Sequence, residues 1–326
     1  MNQQTTFNFK TLAKYLLACC LASVLPHAWA AEPLQIFVSV VPQKYFAERV
    51  GGDQVKVEPM VQPGFSPETY EPTAQQISAL AKAHLYVRIG MPFEDAWMQR
   101  IQGVNPNIQM LDAREGVKLR NLEAHSHTES ATEHAATHEA DHQHKTAHTQ
   151  QQTKTERAVN GEPDPHLWVS PRIAKQMAQQ LAENFSRLRP EQAALFKQNY
   201  TQFAAELDQL DQELTELFKD KQNLKFMVFH PAWGYLADAY GLQQIPIEVE
   251  GKEPGAKALA AIIAEAQDEN VKTIFVQPQF SQRAAEQVAK AIQGKVVSID
   301  NLAEDYIPNL RKAARLIAGV DSEQGH

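Results

Sequence analysis

Four side chains able to bind a cation recur at similar places along the chain, each beside the end of a run that reads as a strand or the start of one that reads as a helix. Glu68 lies in PGFSPETYEPT, between proline-rich turns. His166, in DPHLWVSP, comes just ahead of a helix that starts at Pro171. His230 ends KFMVFH, immediately before Pro231, and Asp300 ends KVVSID. Imidazole nitrogen and carboxylate oxygen are ligands for zinc and for harder divalent ions. Both cysteines, Cys19 and Cys20, fall within the first thirty residues. Beyond them neither a thiolate ligand nor a disulfide is available, so a metal must be held by His, Asp, Glu or water. A hydrolytic metalloenzyme would add an open coordination position and a general base. No HExxH run occurs, and no enzymatic activity is expected.

The segments around these residues say how they are positioned. LQIFVSVV (34–41) is a β-branched, nearly continuous apolar run ended by Pro42, the pattern of a buried strand. A short helix closed by Gly51-Gly52 follows, then the strand VKVEPMV. After the Glu68 stretch come a helix from Thr73, the strand HLYVRIG, the helix FEDAWMQRI and a strand at IQML. The second half repeats this rhythm with strands KFMVFH, IPIEV, KTIFVQ and KVVSID between helical segments. Pro63-Gly64 and Pro254-Gly255 fall at matching turns. Alternating strands and helices predict an α/β fold of two similar lobes with mostly parallel sheets. The lobes are expected over 31–189 and 219–326, joined by a long linking helix over 190–218. In that helix Phe196, Tyr200, Phe203, Leu207, Leu210, Leu214 and Leu217 form one apolar stripe. Ligands of open α/β lobes bind beyond the carboxyl ends of the strands, which places the four residues in the cleft between the lobes.

The first thirty residues have a different character. Lys10 and Lys14 precede the apolar run YLLACCLASVL, and Ala28-Trp29-Ala30 forms a small-x-small cleavage site. This is the anatomy of a secretory signal peptide, too short in its apolar run to span a membrane. Lipid anchoring at Cys19 is not expected, because the apolar run before it is very short. Loss of the segment, with its two lysines and no acid, takes the net charge from -8 to -10. An acidic surface disfavours nucleic acid and anionic membranes as partners. A periplasmic location follows from export, acidity and the absence of cysteine.

Residues 121–160 interrupt the α/β pattern. His125, His127, His134, His138, His142, His144 and His148 stand there among Ala, Thr, Gln and Glu, with almost no large apolar side chain. Such a stretch cannot bury enough surface to offset its ordering entropy, so a disordered loop is predicted. Its imidazoles suit weak, exchangeable capture of zinc, copper or nickel.

PGFSPETYEPT, DPHLWVSP, FHPAWGYLADAYGL and VVSID together resemble the metal-binding receptors of zinc and manganese ABC importers, the ZnuA/TroA type. The resemblance extends over nearly the whole chain after residue 30, the long helix and the His-rich insertion included. It implies a solute-binding protein that captures a divalent metal, Zn2+ first, for an ABC permease in the inner membrane, acting as a monomer. It also implies that His166, His230 and Asp300 are metal ligands. At the position of Glu68 the family usually has histidine. A carboxylate there still reaches a metal, and two imidazoles with two carboxylates form a harder set, nearer to what Mn2+ or Fe2+ accepts. Uptake of manganese or iron on the same scaffold is therefore the alternative, as is a metal chaperone or buffer without a transporter. Gln277 stands where the family often has glutamate and is read as a neutral neighbour of the site. Trp168 and Trp233 are read as packing residues and His84 as a structural one. Glu248, Glu250 and Glu253 are read as a solvated acidic loop.

Overall fold

The computed structural model describes residues 32–122, 162–248 and 252–320. The proposed signal segment and the seven histidines of the insertion lie outside the described residues. Asn121 and Leu122, placed in the insertion by composition, belong instead to its base: Asn121 bridges Pro163, and the Leu122 N–H donates to the Glu162 carbonyl at 2.9 Å.

Two four-stranded parallel sheets form the frame. The first holds β1 (Leu34–Val38), β2 (Val55–Pro59), β3 (Leu85–Arg88) and β4 (Gln109–Asp112) in the order β2-β1-β3-β4. Helices α1 (Val41–Gly51), α2 (Ala74–Leu80) and α3 (Pro92–Val104) connect them. The chain then passes through α4 (Pro171–Leu188) and α5 (Ala193–Phe218). The second sheet holds β5 (Lys225–Val228), β6 (Gln243–Pro246), β7 (Thr273–Val276) and β8 (Lys295–Ser298) in the order β6-β5-β7-β8. Helices α6 (Gly234–Tyr240), α7 (Ala256–Asp268), α8 (Arg283–Ala291) and α9 (Tyr306–Ile317) accompany it. The order reverses at the same point in both sheets, between β1 and β3 and between β5 and β7, where crevices for ligands open.

Side chains of β5 alternate between two cores, as a period of two requires. Phe226 and Val228 join a core that also contains the first lobe and α5, whereas Met227 and Phe229 join a separate core under α7 and α8. One face of the second sheet thus shares its apolar packing with the first lobe. Phe196, Phe203, Leu207, Leu210 and Leu214 of α5 are buried in the shared core, and Tyr200 and Leu217 pack on its edge. At the usual rise its 26 residues span ~39 Å. Further ties cross between the lobes. Trp168 donates its Nε1–H to the Asn301 carbonyl at 2.6 Å, and the Tyr306 hydroxyl donates to the Trp168 carbonyl at 2.6 Å. The Tyr306 ring meets Phe46 edge-on at 4.7 Å.

Two strand ends differ from the sequence reading. β5 stops at Val228 and β8 at Ser298, so His230 and Asp300 each stand two residues beyond their strand. Pro231, which has no N–H, cannot extend the β5 ladder, and the Phe229 N–H makes the last bond, to the Phe275 carbonyl at 2.8 Å. β6 also begins and ends earlier than IPIEV suggests, covering Gln243–Pro246.

Candidate metal centre

The Glu68 loop is tied at its neck by one side chain, Gln76. Thr73 caps α2 by accepting from the Gln76 N–H at 3.3 Å, and Gln76 Oε1 accepts from the Thr73 N–H at 3.0 Å, a reciprocal box. The same side chain donates Nε2–H to the Met60 carbonyl at 2.6 Å and accepts from the Tyr70 hydroxyl at 2.8 Å. Gly64 turns the loop at φ 87°, a conformation that a Cβ would strain. Ser66 donates its hydroxyl to Glu68 Oε2. The loop is thereby held with Glu68 Oε1 facing the two histidines.

His230 Nε2 lies 3.1 Å from Glu68 Oε1, and His166 Nε2 lies 3.7 Å from it. The two Nε2 atoms are 3.2 Å apart. One potential ligand atom from each residue falls within 4.8 Å of the others, the arrangement of a metal centre. Both imidazoles are buried, while the Glu68 side chain retains 25% of its exposure, so the centre opens to solvent on the carboxylate's side.

Each imidazole is fixed from behind by a buried carboxylate. His166 Nδ1 is 2.8 Å from Asp164 Oδ1, which also accepts the His166 backbone N–H at 3.0 Å. His230 Nδ1 is 2.8 Å from Glu248 Oε1, and the His230 ring stacks on Phe280 at 4.7 Å. A carboxylate on Nδ1 sets the tautomer and leaves Nε2 as the ligating atom. The solvated-loop reading of Glu248 is therefore corrected. Its N–H is bonded to the Phe229 carbonyl at 3.0 Å, which draws the side chain inward beneath His230. Glu253 is exposed, as read, and Glu250 lies outside the described residues. Asp164 was not singled out by the sequence reading, although its place two residues before His166 was a usable signal.

Asp300 is held apart from the three converging residues. Its Oδ1 accepts from the Leu302 N–H at 2.9 Å and from Gln279 Nε2 at 3.1 Å. Gln277 is fully buried and donates to the His230 carbonyl at 2.9 Å, steadying the backbone that carries the ring. Trp168 and Trp233 are buried packing residues. Exposed His84 accepts the Gln35 N–H on Nδ1 at 2.9 Å, a structural bond at the strand start. A groove of about 650 Å³ runs along the Glu68 loop past Phe65 and Tyr70 and includes neither histidine.

Electrostatics follow from this geometry. Burial would lower the His230 imidazole, but hydrogen bonds to Glu248 and Glu68 push it up to about 10. Burial also pulls His166 down, and its bonds to Asp164 and Glu68 raise it above the usual value. Burial would raise Glu68, yet the two imidazoles hold it well below the ordinary carboxylate range. The geometry thus favours protons on the imidazoles beside an ionised Glu68.

The sequence profile of a family described as zinc-uptake complex component A, periplasmic, matches residues 36–320. The chain belongs to this family. The high-affinity zinc uptake system protein ZnuA of Haemophilus influenzae is 34% identical over 141 residues, which are 43% of this chain and 42% of that protein. ZnuA of Bacillus subtilis is 24% identical over 83% of this chain and 79% of its own length. A solved structure of a ZnuA deletion mutant with zinc bound superposes with a TM-score of 0.74 at 34% identity, covering 90% of this chain and all of that one. The agreement extends over both parallel sheets, so the fold that brings Glu68, His166 and His230 together is the family's fold.

Proposed function

We propose that this protein is a periplasmic solute-binding receptor that takes up Zn2+ as cargo and delivers it to an ABC permease. The observation that carries the reading is the convergence of Glu68 Oε1, His166 Nε2 and His230 Nε2, with a buried carboxylate on each Nδ1. Glu68, His166 and His230 are the ligands, and the fourth position goes to Asp300 or to water. Capture exchanges the two imidazole protons for one divalent cation, so the charge of the buried site is nearly unchanged. Residues 1–30 are the export signal, and His125, His127, His134, His138, His142, His144 and His148 act as an auxiliary store that raises capture when zinc is scarce.

One observation favours a second reading. With a carboxylate in place of the usual third imidazole, the site suits Mn2+ or Fe2+ better than a three-histidine site does. Metal analysis of protein purified without chelator, followed by zinc and manganese titrations of wild type, His166→Ala, His230→Ala and His84→Ala, tests both readings. Zinc in the isolated protein, with tight binding lost in the first two variants and kept in the third, is the expected result. Equal affinity in all four proteins rejects the site.

A further inference from the structure

We infer that Arg120 is a positioning residue for metal ligation, holding His166 in its ligating orientation through an anchor on a helix of the opposite lobe; this rests on the proposed site. Asp164, which sets the His166 ring, is completely buried, and a buried carboxylate needs a matching partner. That partner is Arg120. Its Nη1–H donates to Asp164 Oδ2 at 2.9 Å, leaving Oδ1 for His166. The two backbones are also joined, the Asp164 N–H donating to the Arg120 carbonyl at 2.9 Å.

The other end of the guanidinium is anchored on α6. Arg120 Nε–H donates to Asp238 Oδ2 at 3.0 Å, and its backbone N–H donates to the Tyr235 hydroxyl at 3.2 Å. That hydroxyl in turn donates to the Asp164 carbonyl at 3.0 Å. The first residue of α6 supplies the room: a Cβ on Gly234 would stand 1.6 Å from Arg120 Nη1 and 2.3 Å from Cζ. The guanidinium occupies the space that glycine leaves open. Asp238, Arg120, Asp164 and His166 therefore form one continuous chain from a helix of the second lobe to a ligand at the cleft. A lysine would keep a charge but lacks the planar fork that serves two carboxylates at once.

The full-length chain tests this, with zinc affinity read by chelator competition on the tightest equivalent and Co2+ as a spectroscopic probe of ligand geometry. Arg120→Gln is expected to weaken zinc binding by about tenfold, in the range for residues that orient a ligand, and to change the visible bands of bound Co2+. Arg120→Lys should restore part of both. Gly234→Ala, which expels the guanidinium, should reproduce Arg120→Gln, and the double variant should add nothing further. Should Gly234→Ala fail to fold, the two Arg120 variants decide. Unchanged affinity and an unchanged Co2+ spectrum in Arg120→Gln, with binding lost in His166→Ala, would overturn the inference alone. Unchanged binding in His166→Ala as well would instead overturn the proposed site.

Discussion

The Nε2 atoms of His166 and His230 face each other at 3.2 Å, and each ring has its Nδ1 on a buried carboxylate. Two neutral imidazoles in this arrangement would point lone pairs at one another. A proton shared with Glu68 relieves that repulsion, and a cation bound at the proposed site would do the same. A cation bound at the proposed site would therefore exchange with imidazole protons.

This exchange predicts the pH dependence. Metal must displace protons from two imidazoles whose affinity for protons is raised, so zinc binding should strengthen with pH, by up to about a hundredfold per unit while both are protonated. The metal-free protein should behave oppositely. Groups raised on folding stabilise fully below their unfolded value near 6.5, and the gain disappears as pH rises through the folded value, about 10 for His230. Glu68, depressed on folding, stabilises above its ordinary value and loses that gain as pH falls. Thermal melts of metal-free protein should thus weaken from mildly acidic pH towards pH 10, and Glu248→Gln should flatten the trend. A melting temperature that rises over that interval contradicts the account.

If Glu68 is a ligand, it should set metal preference. Glu68→His restores three imidazoles and should raise the zinc-to-manganese affinity ratio, whereas Glu68→Gln should weaken both metals. Paired titrations read the ratio. No change in either variant would make Glu68 a spectator.

Asp300 decides the fourth position. If it leaves Leu302 and Gln279 to join the metal, Asp300→Asn should lower zinc affinity by about tenfold or more, as for loss of a charged hydrogen-bonding partner. If water fills the position, affinity should stay within a factor of two or three, and calorimetry separates the two results.

Tyr306 joins the lobes beside the site. Tyr306→Phe leaves the Trp168 carbonyl without its 2.6 Å donor in a buried place. A loss of about 1–3 kcal/mol is expected in denaturant unfolding, with an unchanged slope. A stability equal to wild type would show that Trp168 is satisfied in another way.

Much of this protein was legible in the amino-acid order. β-Branched runs, a period of two or of about 3.6, Thr73 as a cap and prolines at turns are local signals. They yielded two parallel α/β lobes and the stripe of α5, because secondary structure follows contacts between near neighbours. The same order put Glu68 and His166 in loops and His230 and Asp300 at strand ends, places where a ligand fits. What only the tertiary structure decided are pairings between distant segments. Glu248 had the composition of a solvated loop, yet it lies under His230, 18 positions earlier. Arg120 meets Asp164 44 positions on and Asp238 118 positions on, through a gap left by Gly234. Asp300, two residues beyond its strand like His230, is bonded to the Leu302 N–H and to Gln279 and is not among the three whose ligand atoms converge. The direction a side chain takes at a strand's end depends on which backbone and side-chain donors packing brings against it. One such donor, Gln279, lies 21 positions from Asp300, so packing as well as local sequence decided which of the four candidates converge.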